Sequence, residues 1–289
     1  MSNNNYSFND LMRRVNKRLA ECLSEYPYNI KDLSQVVKYV VLSPGHRWRP
    51  ILFLKIYGML SGRKDVQPVL PIACSMEFLH TASIILDDLP SMDNALLRRG
   101  KKTSHLVFGE AKTVIAALWL CDVAQHLIHN TRLQNEERGF RLDLENNLRQ
   151  TKSSLIAGQL LDLRQKQKTI SEIIRMYELK SGGFYAFAAS TPARLLGMRH
   201  IIKPLEEFGH YLGIAYQLAD DIADLTANEK SLGKDIHKDD GKFTIPQKFG
   251  IRRAIELRDI YRDKAVAQLQ KLSQPVDDLV ILADRIIHG

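Results

Sequence analysis

Cysteine is scarce in this chain of 289 residues: Cys22, Cys74 and Cys121 are the only three. Their odd number, wide separation and lack of CxxC spacing argue against a disulfide framework and a structural zinc site, and for a reducing compartment. The opening residues, MSNNNYSFND, show neither a charged-then-apolar leader nor an Arg-rich transit pattern. No apolar run approaches the ~20 residues of a membrane span. The expectation is a cytoplasmic protein without stable membrane insertion. Strand alternation is nearly absent, and the one Asp-Gly pair, Asp240–Gly241, sits in a polar loop. Linkers rich in Pro, Ser or Gly are missing, as are repeats of fixed period.

Helical spacing is what the chain has in quantity. Leu11, Val15, Leu19 and Leu23 recur every four residues, with Arg13, Lys17 and Glu21 off that stripe. From Leu70 to Leu86 the sequence is apolar or small apart from Glu77 and His80. At ~1.5 Å per residue that length exceeds an ordinary strand and reads as a buried helix. Segments 111–129, 153–164, 172–188, 205–225 and 251–272 carry helical patterns as well, while 130–152 reads as a polar surface connection. The spacing predicts one all-α domain over residues 1–289, a bundle of about ten or more helices around one core.

The net charge of +8 and an isoelectric point of ≈ 9.3 suggest an anionic partner. The basic residues are spread along the chain, and the tightest groups, HRWR and RRGKK, do not lead into aromatic runs. That distribution disfavours nucleic acid and leaves a phosphorylated small molecule.

Two acidic motifs each follow a buried helical run. In QLADDIAD, Asp220 and Asp224 are four apart and share a helix face with Gln217, which suits a hard cation such as Mg²⁺. In ILDDLPSMD, Asp87 and Asp93 are six apart and would diverge on a continuous helix. Pro90 breaks the helix between them and allows Asp93 to fold back. His80 lies seven residues before Asp87, on the same face. Burying such acids is costly unless cations compensate them.

Taken in order, GHRWRP (45–50), HTASIILDDLPSMDNALLRRGKKTSH (80–105), KSGG (180–183), YQLADDIADL (216–225) and LGKDIHKDDGKFTIP (232–246) resemble the trans-isoprenyl diphosphate synthases, the polyprenyl synthetase family. The likeness is strongest to bacterial-type farnesyl and geranylgeranyl diphosphate synthases. It implies the isoprenoid synthase fold, mostly antiparallel helices around a central substrate cavity, and a homodimer. The implied reaction is Mg²⁺-dependent head-to-tail condensation of isopentenyl diphosphate with an allylic diphosphate such as dimethylallyl, geranyl or farnesyl diphosphate. By the resemblance, Asp87 and Asp93 hold two of three Mg²⁺ ions with Asp88 in support, and Asp220 holds the third with Asp221 and Asp224 in support. Arg98, Lys180, Ser181, Gln217, Lys234 and Lys242 are placed at the allylic diphosphate. His46, Arg47, His80 and Arg99 are placed at isopentenyl diphosphate, with Arg49 supporting their loop.

The chain departs from the family pattern at three of these places. His46 stands where lysine is usual, which predicts a pH-sensitive Michaelis constant for isopentenyl diphosphate. Ser181 replaces threonine, and Ala95 a residue that is often acidic. Ala82 and Ser83, one turn before Asp87, are small where farnesyl-forming relatives often carry an aromatic floor. Their size predicts a longer product, geranylgeranyl diphosphate, with Phe78 or Trp119 as the next floor. A terpene cyclase would need a different second metal motif, and a non-catalytic partner subunit would usually have lost one acidic motif.

Overall fold

The computed structural model describes residues 6–25, 30–132, 138–164, 169–226 and 244–289. They form helices α1 (Phe8–Glu25), α2 (Lys31–Val41), α3 (Trp48–Ser61), α4 (Leu70–Asp87), α5 (Ser104–Phe108), α6 (Glu110–Asn130) and α7 (Arg138–Arg164). These are followed by α8 (Ile170–Tyr177), α9 (Gly183–Leu195), α10 (Arg199–Thr226), α11 (Ile245–Phe249), α12 (Ile251–Leu269) and α13 (Asp277–His288). The all-α class expected from the spacing is the class observed.

The described residues divide into two compact units. The first comprises α1, α2, α3 through Leu54, and the stretch from Lys64 through α6. Its core begins with the α1 stripe, where Leu11, Val15 and Leu19 are at most 1% exposed. Helix α4 opens on Pro71, whose fixed φ and missing N–H suit a first turn. It buries Ile72, Ala73, Cys74, Met76, Phe78, Ala82 and Ile85 and packs along α6. Asp88 caps its end, its N–H bonding the Ile84 carbonyl at 3.0 Å.

The second unit comprises Lys55–Arg63 and the described residues from α7 onward. Here α10 packs against α9 and α12. A Cβ on Gly209 would stand 2.4 Å from the Ala186 Cα, so this α9–α10 approach admits only glycine. Ile173, Met176, Tyr177, Ile214, Leu218, Ile245, Ala254 and Leu257 form a buried cluster under the C-terminal half of α10.

Four local expectations change. Much of the polar 130–152 stretch is helical from Arg138, because Leu144, Leu148 and Thr151 supply a sparse buried stripe among polar residues. The 172–188 segment is not one regular helix. It starts at Ile170 behind a Thr169–Glu172 capping box, passes through a π-helical turn at Glu178–Gly182, and continues as α9. A short antiparallel ladder pairs β1 (Leu97–Arg98) with β2 (Lys101–Lys102), where no hairpin was expected. Finally, Gln67–Asp87 and Glu110–Asn130 are both long and apolar enough to cross a membrane by length and composition. The apolar window of the first is 72% buried, as the core of its unit. All three cysteines are free thiols.

Candidate active site

The first acidic motif is a turn built on the end of α4. Beyond Asp88 the chain reverses at Pro90, and the Asp93 N–H donates to the Asp87 carbonyl at 2.9 Å. Ala95 N–H returns to the Asp88 carbonyl at 3.1 Å, closing the reversal. Asp87 and Asp93 are therefore brought together through their backbones, as Pro90 predicted. Both are half-buried, while Asp88 is 1% exposed. The C-terminus of a helix carries partial negative charge, so three carboxylates there oppose its dipole. Such acids are not placed for the stability of the helix.

Arg98 and Arg99 sit on the hairpin that follows. Arg99 and Gly100 form its two-residue turn, with φ of 53° and 75°. Positive φ at both positions is the type I′ requirement, and arginine at the first of them is strained. Successive residues leave a ladder on opposite sides, and the two arginines meet different acids. Arg98 donates to Asp88 Oδ1 from Nε at 3.0 Å and Nη2 at 2.6 Å. Arg99 Nη2 lies 3.5 Å from Glu77 Oε1.

His80 is half-buried on α4, with Arg49 Nη1 at 3.3 Å from its Nδ1. Burial, together with the charges of Arg49, Arg99, Arg47 and Arg98, pushes its pKa well down. Four guanidiniums against Asp88 and Glu77 leave this corner positive. His46 is exposed and stacks on Trp48 with ring centroids 4.9 Å apart.

Arg47 has a different surrounding from the one the resemblance implies. It is 4% exposed with φ of 55°, and its guanidinium turns inward. Nη1 bonds Glu77 Oε1 at 2.6 Å, Nη2 bonds the Val41 and Ser43 carbonyls at 2.9 and 2.8 Å, and Nε bonds Asn16 Oδ1 at 2.9 Å. With four of its five donors used this way, Arg47 organises the loop from within.

In the second unit, α10 stays continuous through its acids. Asp220 is half-buried, and Asp221 and Asp224 are each 4% exposed. Ser181 Oγ donates to Gln217 Oε1 at 2.8 Å, and Gln217 Nε2 donates to Asp221 Oδ1 at 3.0 Å. The Tyr177 hydroxyl donates to the other oxygen, Oδ2. Each oxygen of Asp221 thus accepts from one protein donor, which fixes the carboxylate's orientation. Lys180 Nζ pairs with Asp162 at 2.5 Å. These side chains depend on close backbones: a Cβ on Gly158 would lie 2.5 Å from the Lys180 nitrogen, and one on Gly213 would lie 2.6 Å from the Gly182 Cα.

The sequence reading passed over Asp162, Tyr177 and Asn16, and noted Glu77 only as a lone charge. A single charge inside an apolar helix was the signal available for Glu77, since a buried carboxylate requires a partner. Lys234 and Lys242 lie outside the described residues. Ala82 is fully buried, Phe78 likewise, and Ser83 is half-buried with its hydroxyl donating to the His80 carbonyl at 2.9 Å. Trp119 is half-buried on α6.

The sequence profile of the polyprenyl synthetase family matches residues 30–279. The chain belongs to that family. It is 35% identical over 231 residues to the farnesyl diphosphate synthase of Geobacillus stearothermophilus, covering 78% of this chain and 77% of that one. It is 33% identical over 247 residues to geranylgeranyl pyrophosphate synthase 3 of Arabidopsis thaliana chloroplasts, covering 82% of this chain and 68% of the relative. The geranyltransferase of Helicobacter pylori, solved with magnesium and isoprenyl diphosphate, superposes with a TM-score of 0.87 at 28% identity, covering 100% of this chain and 99% of that one. This polyprenyl synthetase therefore has the isoprenoid synthase fold and is a short-chain trans-prenyl diphosphate synthase, a transferase.

The family works with Mg²⁺, and the acids of this polyprenyl synthetase suit that ion. Among the described residues Asp224 Oδ2 is buried without a hydrogen-bond partner, the condition of an oxygen that needs a cation or a water. Among the described residues, no group of three or more His, Cys, Asp and Glu side chains forms a complete cage. Mg²⁺ does not need one: it binds through one or two carboxylates and completes its shell with water and phosphate oxygens.

Proposed function

We propose that this synthase condenses isopentenyl diphosphate with allylic diphosphates up to geranylgeranyl diphosphate. Ala82 carries the reading of product length. It stands five residues before Asp87 on α4, and with Ser83 it leaves no bulky side chain one turn below the acids. An allylic tail running down α4 from a diphosphate at Asp87 meets Phe78 only a turn further along. The 35% identity to a farnesyl diphosphate synthase favours the shorter product and is the competing reading.

By the family resemblance, Asp87 and Asp93 would hold two Mg²⁺ ions and Asp220 a third, with Asp88, Asp221 and Asp224 in support. Bound there, Mg²⁺ supplies Lewis acidity that stabilises the negative charge of a departing diphosphate. Asp88 anchors Arg98, whose positive charge serves the allylic diphosphate. Ser181 and Gln217 keep Asp221 oriented, and Asp162 fixes Lys180, which by the family resemblance would serve the allylic diphosphate. Arg99, Arg49, His80 and His46 make the isopentenyl diphosphate corner. Donors held by buried partners need little reorganisation when charge develops on the leaving group. A homodimer is also proposed, supported by Ile115 and Leu118 standing 57% and 65% exposed on the apolar helix α6.

The test is incubation with Mg²⁺, isopentenyl diphosphate and each of dimethylallyl, geranyl and farnesyl diphosphate, followed by sizing of the products. Geranylgeranyl diphosphate from all three starters is expected. A product stopping at farnesyl diphosphate would correct the length, and no elongation with any starter would sink the reading. Ala82→Tyr should shorten the product; an unchanged spectrum removes Ala82 from the argument.

A further inference from the structure

Glu77 is the one acid inside the apolar run of α4, and it is 1% exposed. A lone buried carboxylate costs several kcal/mol, so its retention calls for a partner that needs it. It has two. Oε1 accepts from Arg47 at 2.6 Å and from Arg99 at 3.5 Å. The two arginines are not held alike. Arg47 has Asn16 and two backbone carbonyls besides Glu77. Arg99 is strained at φ of 53°, and burial pushes its guanidinium pKa down while Glu77 pushes it back up.

Gly45 closes the other side of Arg99. A Cβ at residue 45 would lie 2.8 Å from the Arg99 Cζ and 3.0 Å from Nη1. The guanidinium thus occupies a slot with the Gly45 backbone on one side and the Glu77 carboxylate beneath. That slot fixes where the charge of Arg99 is presented, beside His80, one turn further along α4 than Glu77.

We propose that Glu77 and Gly45 together position Arg99, and through it set the affinity for isopentenyl diphosphate without touching that substrate. The inference rests on assigning Arg99 to isopentenyl diphosphate in the proposed function. Simple electrostatics predicts the opposite sign. Removing a negative charge beside an anion site strengthens its positive potential and tightens binding. Positioning predicts weaker binding.

Isopentenyl diphosphate binding is measured by titration calorimetry without turnover, and KM for both substrates and kcat are measured separately. For Glu77→Gln, affinity for isopentenyl diphosphate should fall about tenfold, while KM for geranyl diphosphate and kcat stay within about twofold. Gly45→Ala displaces the guanidinium with no change of charge and leaves the buried pair with Arg47 intact. It should give the same selective loss, which keeps the proposal testable if Glu77→Gln folds poorly. Unchanged or tighter binding in Gly45→Ala overturns the proposal, as does an equal loss for both substrates. Selective loss in Gly45→Ala beside normal wild-type binding, but with no product from any starter, would uphold the positioning role and overturn the proposed function instead.

Discussion

The two acidic motifs read almost alike as sequence and are built in opposite ways. In the first unit the helix stops: Pro90 ends α4, the chain doubles back, and Asp87 and Asp93 meet through a backbone bond. In the second unit the helix continues, and the motif is fixed by side chains from elsewhere, Tyr177 and Gln217 on Asp221. The first is organised locally by backbone and the second tertiarily by hydrogen bonds. Substitutions in the first should cost chemistry and little stability; those in the second should cost both.

The widest gap is expected at the acids themselves. Asp87→Asn should lower kcat/KM on the order of a thousandfold, through loss of a charge that holds the ion stabilising the leaving group. Its melting temperature should hold or rise slightly, because a negative charge at a helix C-terminus is unfavourable. Asp221→Asn should lower activity and melting temperature together. A stable, weakly active Asp221→Asn protein would erase the contrast.

Gly158→Ala comes next. A methyl 2.5 Å from the Lys180 nitrogen must part α7 from the π-helical turn. The expected cost is about 1–3 kcal/mol in denaturant unfolding. Activity should fall with it, since the turn carries Lys180 and Ser181. Retained stability would mean that the turn yields easily.

Tyr177→Phe removes one hydroxyl from a buried carboxylate and should cost about 1–3 kcal/mol. The hydroxyl also accepts from the Ile245 N–H at 3.3 Å, so the start of α11 loses a partner as well. Hydrogen exchange at Ile245 should speed up. Unaltered exchange would confine Tyr177 to Asp221.

The smallest effect is in pH. The folded pKa of His80 lies well below its ordinary value, from burial first and then the neighbouring arginines. His210 is lowered too, chiefly by burial. In the unfolded chain both titrate near ~6.5, so the unfolded state binds more protons below that pH. Stability should therefore be level above about pH 7.5 and fall as pH drops through ~6.5. Melting curves from pH 5 to 8 check this, and His80→Gln should flatten the slope. A change between pH 6 and 8 in the Michaelis constant for isopentenyl diphosphate that disappears in His46→Lys is assigned to His46. A flat constant would show that His46 does not take the role lysine usually has in the family.

Much of the helical fold was legible because buried faces recur at helical spacing, as in Leu11–Val15–Leu19 and the Leu70–Leu86 run. The Pro90 reversal was legible because proline acts on its own neighbours. The β1–β2 hairpin was not: two-residue strands carry no alternation, and its turn puts arginine where asparagine or glycine would be the cue. The helix over 138–152 was hidden because three buried positions among polar residues make a weak stripe.

Sequence alone settled the helical class and the family, since spacing, charge and proline act over short range. Tertiary structure decided how the charges are shared. That Arg47 turns inward, Arg98 binds Asp88, Arg99 rests on Glu77 and Asp221 is held by Tyr177 depends on which backbones approach closely enough. Those approaches are set by packing at positions such as Gly45 and Gly158, far in sequence from the charges they place.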